Sequence, residues 1–302
     1  MRVVVVGGAG FIGTHLVNKL CEVGHDVIVV DNLITGQSGN INPKAKFVWL
    51  DLSKGSEALT AILDERVVKS IIHLAAIPDI SRSFSEPSLC HECNLTTTLN
   101  VLRAAANSKY VKRVTFTSST AVYGEQTVFP LMETFAPHPL SPYAVQKLAG
   151  EHYMKVLGEQ HGLETASLRL FNVYGEGQSN EGAYASVINV FSRQKKQGEP
   201  LTIIGDGNQT RDFVYVKDVV RALMTVGIGK VALGGAVFNI CTGEERSVLD
   251  VAELFGGEVL QYLPERKGDI RRSVGNAGRT SEIIGFKSEY SLEQGLEDSG
   301  LL

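Results

Sequence analysis

The sequence predicts an α/β protein: a doubly wound parallel sheet followed by a smaller α+β lobe. Two observations carry that expectation. Short, nearly continuous Val/Ile/Leu runs recur through the first half and alternate with segments of helical periodicity. A glycine-rich turn also sits between the first apolar run and the first helical segment. Strands that are apolar along their whole length are buried on both faces, the condition of a parallel sheet covered by helices. Taken in order, residues 2–6 read as the first strand, 11–23 as the first helix and 26–32 as the second strand. Further strands are predicted at 46–52, 68–76, 113–119 and 165–173, with helices at 56–63, 95–108 and 142–160. Beyond residue 175 the pattern loosens. Gly175-Glu176-Gly177-Gln178 and Ile204-Gly205-Asp206-Gly207-Asn208 are loop or hairpin signals, while 212–216 and 236–240 again resemble buried strands.

Composition narrows the function classes. The 302 residues are 43% apolar and 21% charged, an ordinary globular balance long enough for one large domain or two smaller ones. The net charge of −4 provides no global basic field for nucleic acid or anionic membrane, so an anionic ligand must be met by local arginines. No stretch approaches the ~18 apolar residues of a membrane span. The valine run at 3–6 stops too soon for a signal-peptide core, and a cytoplasmic location is expected. Cys21, Cys90, Cys93 and Cys241 are read as reduced thiols. Cys90-His91-Glu92-Cys93 has no second ligand pair at zinc spacing, so no metal is expected.

The turn Gly7-Gly8-Ala9-Gly10-Phe11-Ile12-Gly13 joins the first strand to the first helix. Gly7, Gly10 and Gly13 permit a tight turn and close approach to a pyrophosphate, which the positive helix N-terminus favours; Phe11 and Ile12 belong to the same cradle. Asp31 ends the second strand, where a carboxylate meets the adenosine ribose and repels a 2′-phosphate. Asn32 follows, with no arginine beside it, so NAD is favoured over NADP. Asp51 and Leu52 end the third strand near the expected adenine position. Leu74, Ala75 and Ala76 end the fourth, where small residues let a cofactor approach the backbone. His73 reads as a buried strand histidine. These features define a Rossmann-type NAD-binding domain over residues 1–173 and 212–242, with a discontinuous substrate-binding lobe at 174–211 and 243–302.

Tyr143 and Lys147 sit four residues apart behind Ser141-Pro142, a helix cap and first-turn proline. Residues i and i+4 share a helix face, so the Lys147 ammonium lies beside the Tyr143 phenol. A free tyrosine titrates near ~10, and a neighbouring cation is expected to bring it toward the working range of a base.

Together these segments resemble the extended short-chain dehydrogenase/reductase family, particularly its UDP-glucose 4-epimerase-like members. The resemblance rests on Gly7–Gly13, Asp31-Asn32, Asp51-Leu52, His73-Leu74-Ala75-Ala76, Thr117-Ser118-Ser119-Thr120-Ala121-Val122-Tyr123-Gly124 and Tyr143/Lys147. It continues through Arg169-Leu170-Phe171-Asn172-Val173-Tyr174-Gly175, Gly205-Asp206-Gly207, Arg211-Asp212-Phe213-Val214 and Arg266-Lys267-Gly268-Asp269.

The resemblance implies Ser119 as the hydroxyl partner of the reacting sugar oxygen. Ser118 should face the opposite side of the strand. It implies Asn94 beside the nicotinamide pocket, a helix cap being the alternative. Asn172 would lie on the substrate side, Arg211 and Arg266 would clamp a pyrophosphate, and Asp269 would meet the uridine ribose. Ser273, four residues after Asp269, stands where relatives gate room for an N-acetyl group; Gly275-Asn276 departs from the Ala-Asp often found there. Thr120-Ala121 replaces the acidic residues that related dehydratases and decarboxylases carry. The implied activity is C4 epimerisation of a UDP-hexose through a transient ketone with retained NAD, in a homodimer formed through helices 95–108 and 142–160. A net dehydrogenase or a noncatalytic dinucleotide sensor are the alternatives.

Overall fold

The computed structural model describes residues 1–179, 186–257, 259–265 and 270–302. The chain runs β1 (Arg2–Val6), α1 (Phe11–Glu22), β2 (Asp26–Asp31), β3 (Lys46–Trp49), α2 (Glu57–Glu65) and β4 (Ser70–His73). Short helices α3 (Ile80–Ser85) and α4 (Pro87–His91) lead to α5 (Thr97–Asn107), β5 (Arg113–Ser119), α6 (Pro142–His161) and β6 (Glu164–Leu170). These six strands and a later one form a seven-stranded parallel sheet, ordered β3-β2-β1-β4-β5-β6 with Ala236–Ile240 at the far edge. The sheet is doubly wound because alternate side chains face opposite layers. Val3 and Val5 pack with Leu16, Leu20 and Val29 on one side. Val4 and Val6 pack with Ile28, Leu59 and Val101 on the other. The order reverses between β1 and β4, and the crevice beyond their C-terminal ends is where such sheets bind ligands.

The second half adds β7 (Asn172–Tyr174), α7 (Val187–Gln197), β8 (Leu201–Ile204), β9 (Thr210–Arg211), β10 (Phe213–Tyr215), α8 (Val216–Ile228) and β11 (Ala236–Ile240). It ends with β12 (Arg246–Ser247), α9 (Val248–Leu254), β13 (Leu260–Leu263), α10 (Gly278–Ile284) and α11 (Leu292–Asp298). Its own core gathers Ile188, Phe191, Ile203, Val251, Phe255 and Leu296 against Tyr174 and Tyr215. No helix among the described residues is long and apolar enough to cross a membrane.

Three expectations change. The strand predicted over 165–173 ends at Leu170: Phe171 still bonds Ile240, but the Asn172 N–H turns to the Asp212 carbonyl. Residues 172–174 therefore pair with β10 in a separate ribbon, and the strand predicted over 212–216 stops where α8 begins. The helix expected from residue 95 starts instead with a π-helical turn, Glu92–Thr96. Of the loop and hairpin readings of the glycine turn after β8, the loop is the one found, since β8 pairs in parallel with β13.

Candidate active site

The glycine turn is held between two strands. Gly7 adopts a φ of +83°, and a Cβ there would lie 2.5 Å from the Ala75 nitrogen, so the β1 and β4 ends meet backbone to backbone. Leu74 and Ala75 both donate their N–H to the Val6 carbonyl, which ends β4 early and opens the crevice. A Cβ on Gly13 would sit 2.3 Å from the Gly7 oxygen, fixing α1 against the turn. Gly10 differs. A Cβ there meets only the Gly7 oxygen, at 3.5 Å, so the protein itself leaves room for a side chain. α1 begins at this glycine with no side-chain cap and no acidic residue in its first turn. Its free N–H groups and positive end suit the pyrophosphate of a dinucleotide.

Asp31 is buried at the end of β2 and accepts from Ala9 N–H at 3.0 Å and Leu33 N–H at 2.8 Å. It thus ties the glycine turn to the loop after β2, with lone pairs remaining for ribose hydroxyls. Asn32 accepts the Ile34 N–H on its side chain and the Trp49 indole N–H on its carbonyl. Asp51 caps its own turn through Ser53, and the Leu52 carbonyl takes the Asn100 amide. Asn94 is not a helix cap. Its buried amide bonds both backbone groups of Ile77, on the loop beyond Ala76, and donates to Gln146 of α6 at 2.8 Å. It therefore anchors the crevice wall to the Tyr143 helix. These residues fit NAD: Gly7, Gly10, Phe11, Ile12 and Gly13 would cradle the pyrophosphate and Asp31 the ribose.

Ser141 caps α6 by accepting the Ala144 N–H, with Pro142 in the first turn as its sequence indicates. Tyr143 and Lys147 are both buried on the α6 face toward β5. The Lys147 Nζ donates to the Thr117 carbonyl at 2.8 Å and lies 4.8 Å from the Phe116 ring centroid and 5.8 Å from that of Tyr143. Ser119 is half-buried at the β5 end, accepts the Ala121 N–H and lies near enough to the Tyr143 phenol to affect its titration. Ser118 points away and donates to Glu151 at 2.5 Å.

The electrostatics correct one expectation. Burial pushes the Tyr143 phenol up to about 12, against the opposing effect of the nearby Ser119 hydroxyl. Burial also drives Lys147 down to about 7, opposed by the Glu151 carboxylate. Both shifts come from exclusion of water and favour the neutral forms, so charge introduced here acts at low dielectric. His73, buried under Phe116 and bonded to Thr98, is pushed down to about 3 by burial and then by Lys147, and is neutral.

On the substrate side, Arg211 in β9 pairs with Arg246 of β12 and donates to the Thr210 carbonyl. That carbonyl also accepts the N–H of buried Ser273. Asn172 is exposed beside Asp212, whose carboxylate accepts from Thr242, Gly243 and Gly275. Arg266 and Asp269 lie outside the described residues. Two arginines that sequence reasoning missed immediately precede Ser273: Arg271 pairs with Asp206, while Arg272 pairs with Glu245 and stacks on Phe129. Also missed was the buried pair Glu151–Arg169, although Glu151 continues the Tyr143/Lys147 face at i+8. Among the described residues no group of three or more His, Cys, Asp and Glu is gathered as for a metal.

A dinucleotide crevice with a buried Tyr/Lys pair defines the short-chain dehydrogenase/reductase class. Residues 3–241 match the NAD dependent epimerase/dehydratase family, and the chain belongs to that family. It is 35% identical to the UDP-glucose 4-epimerase of Mycolicibacterium smegmatis, covering 98% of this chain and 96% of the relative. The crystal structure of the Thermotoga maritima UDP-glucose 4-epimerase with UDP-glucose superposes with a TM-score of 0.92 at 37% identity, over 99% of this chain and 97% of that one. The UDP-N-acetylglucosamine 4-epimerase of Methanobrevibacter ruminantium, solved with UDP-N-acetylmuramic acid, gives 0.89 at 34%, over 99% and 95%. The chain is an epimerase-type enzyme, and its cofactor is NAD.

Proposed function

We propose that this enzyme interconverts the C4 epimers of a UDP-hexose, with UDP-glucose and UDP-galactose as the first pair. The observation that carries the reading is the convergence of Ser119, Tyr143 and Lys147 at the end of β5, beside the glycine-rich crevice. Tyr143 takes the C4 hydroxyl proton, Ser119 passes a hydrogen bond to the same oxygen, and Lys147, when in its ammonium form, offsets part of the burial that disfavours the phenolate. Bound NAD supplies the acceptor, and then the donor, for the C4 hydride. The 4-keto sugar turns over between the two steps while its pyrophosphate stays anchored by Arg211 and Arg266, with Asp269 on the ribose and Asn172 beside the sugar. Asp51, Leu52 and Asn94 complete the cofactor pocket. In this reading residues 1–173 and 212–242 bind NAD, and the remainder binds the sugar nucleotide.

Ser273 is small, and a related fold carries a UDP-N-acetylglucosamine epimerase. Both support a pocket that also admits N-acetylated sugars. Failure to turn over UDP-N-acetylglucosamine while UDP-galactose reacts would remove that extension. A homodimer through α5 and α6 is supported by Val145, Tyr153 and Val156, exposed along one side of α6.

Incubation of the purified protein with UDP-galactose and no added NAD tests the reading. UDP-glucose should form without accumulating NADH; net NADH formation with added NAD would instead indicate a dehydrogenase. Tyr143→Phe should lower kcat by about 10²–10⁴-fold while sparing NAD binding. Near-normal turnover would sink its role.

A further inference from the structure

Glu151 lies two helical turns beyond Tyr143 and one beyond Lys147, on the same face of α6 and sealed from solvent. Its carboxylate is clamped from both sides. Arg169 of β6 reaches it through two bonds of 2.9 and 2.7 Å, and the Ser118 hydroxyl donates at 2.5 Å. Arg169 is itself fixed, its guanidinium lying 4.6 Å from the Tyr123 ring centroid while the Tyr123 hydroxyl bonds Asn239. α6 is pressed onto β5 here: a Cβ on Gly150 would lie 2.7 Å from the Phe116 ring, the same ring that carries the Lys147 Nζ. A buried carboxylate with this much support cannot swing away from the lysine one turn back.

We propose that Glu151 is a positioning residue for the epimerase chemistry, a charge held rigid by Arg169 and Ser118 so that Lys147 keeps its ammonium form beside Tyr143. The inference rests on the catalytic reading of Lys147 given above. The other groups on elements packed around Lys147 do not supply this charge. His73 on β4 is neutral, and Tyr123 and Tyr143 are held protonated by burial. Burial likewise keeps the Cys93 thiol, in the turn at 92–96, protonated. β5 presents the uncharged Phe116 and Thr117, and Arg169 is matched to Glu151 itself. Burial lowers Lys147 to about 7, and Glu151 is the charge that raises it.

The test is an NMR titration of the Lys147 side chain in NAD-loaded, isotopically lysine-labelled protein, assigned by loss of its signal in Lys147→Met. Glu151→Gln should move the Lys147 titration down by about 1–3 pH units, the range of one close opposite charge. The alkaline limb of kcat should move with it and KM should stay near wild type. Glu151→Asp, which keeps the charge, should recover part of the shift. If Glu151→Gln fails to fold because Arg169 is left unpaired, Glu151→Gln with Arg169→Gln removes both charges, and the titration should still fall. A Lys147 titration unchanged in that double variant overturns the proposal. A shifted titration in a protein whose wild type epimerises no UDP-hexose would leave Glu151 its positioning role and sink the epimerase reading instead.

Discussion

Two alanine substitutions in one turn should fail in opposite ways. Gly10→Ala adds a methyl whose nearest protein atom is 3.5 Å away, on a backbone at φ −81° and ψ 179° that alanine adopts without strain. Folding stability should hold, or rise by up to ~1 kcal/mol as the unfolded chain loses freedom. In the proposed cofactor site, the same methyl would occupy the face that the pyrophosphate approaches. A charge-assisted bond to a helix N–H contributes ~1.5–3 kcal/mol, so displacing one lowers NAD affinity by at least about tenfold. Gly13→Ala instead forces a methyl to 2.3 Å from the Gly7 oxygen and 2.7 Å from the Gly8 Cα, with a ~1–3 kcal/mol loss from overpacking. Thermal unfolding of cofactor-stripped protein, with and without NAD, separates the effects. Binding can be followed on Trp49, the single tryptophan, whose indole bonds the Asn32 carbonyl next to Asp31. If Gly10→Ala binds NAD as tightly as wild type, the cofactor does not lie against this turn. Equal destabilisation by both variants would show that the two glycines serve packing alike.

Asp31→Asn should weaken NAD binding by about 10–100-fold and narrow the preference over NADP, measured as the ratio of dissociation constants; an unchanged ratio would remove Asp31 from the ribose. His73 has a folded pKa near 3, below the ~6.5 of an unfolded histidine, so the unfolded chain binds the extra proton between those values. Its stability contribution is therefore complete above about pH 6.5 and lost as pH falls toward 3, at ~1.4 kcal/mol per unit. Urea unfolding between pH 5 and 8 should show that slope, and His73→Asn should flatten it. Val156→Glu, at a site 60% exposed, should leave the fold intact and shift the protein to monomer in sedimentation. A retained dimer would move the interface elsewhere.

The first half of the fold was legible because its signals are local. Val3–Val6 is apolar at every position because alternate residues enter different cores, and Gly7–Gly13 marks the turn that follows. What the sequence hid depends on partners far along the chain. Nothing in Arg169-Leu170-Phe171-Asn172 marks where pairing passes from β11 to β10; the switch depends on Asp212 presenting its carbonyl to Asn172. The π-helical turn at 92–96 is equally silent, since Asn94 is drawn inward by Ile77 on the loop after β4 and by Gln146 of α6.

The site shows the same division more sharply. Spacing placed Tyr143 and Lys147 on one helix face and turned Ser118 and Ser119 apart, because both follow from helix and strand periods. Spacing could not give their charge states, which are set by burial. The expectation that Lys147 acidifies Tyr143 treats the pair as if water surrounded it. With both groups sealed beneath Phe116 and the β5 end, desolvation dominates: it raises the phenol, lowers the ammonium and leaves each favouring neutrality. A proton acceptor in such a place needs a charge from elsewhere in the structure. In the proposal above, the rigid carboxylate one turn after Lys147 serves that need indirectly, by favouring the positive form of the lysine, and its mate on β6 is eighteen residues away in sequence. In the proposed mechanism the Tyr/Lys spacing identifies the proton-transfer pair, while Glu151 and Arg169 set the conditions under which it works.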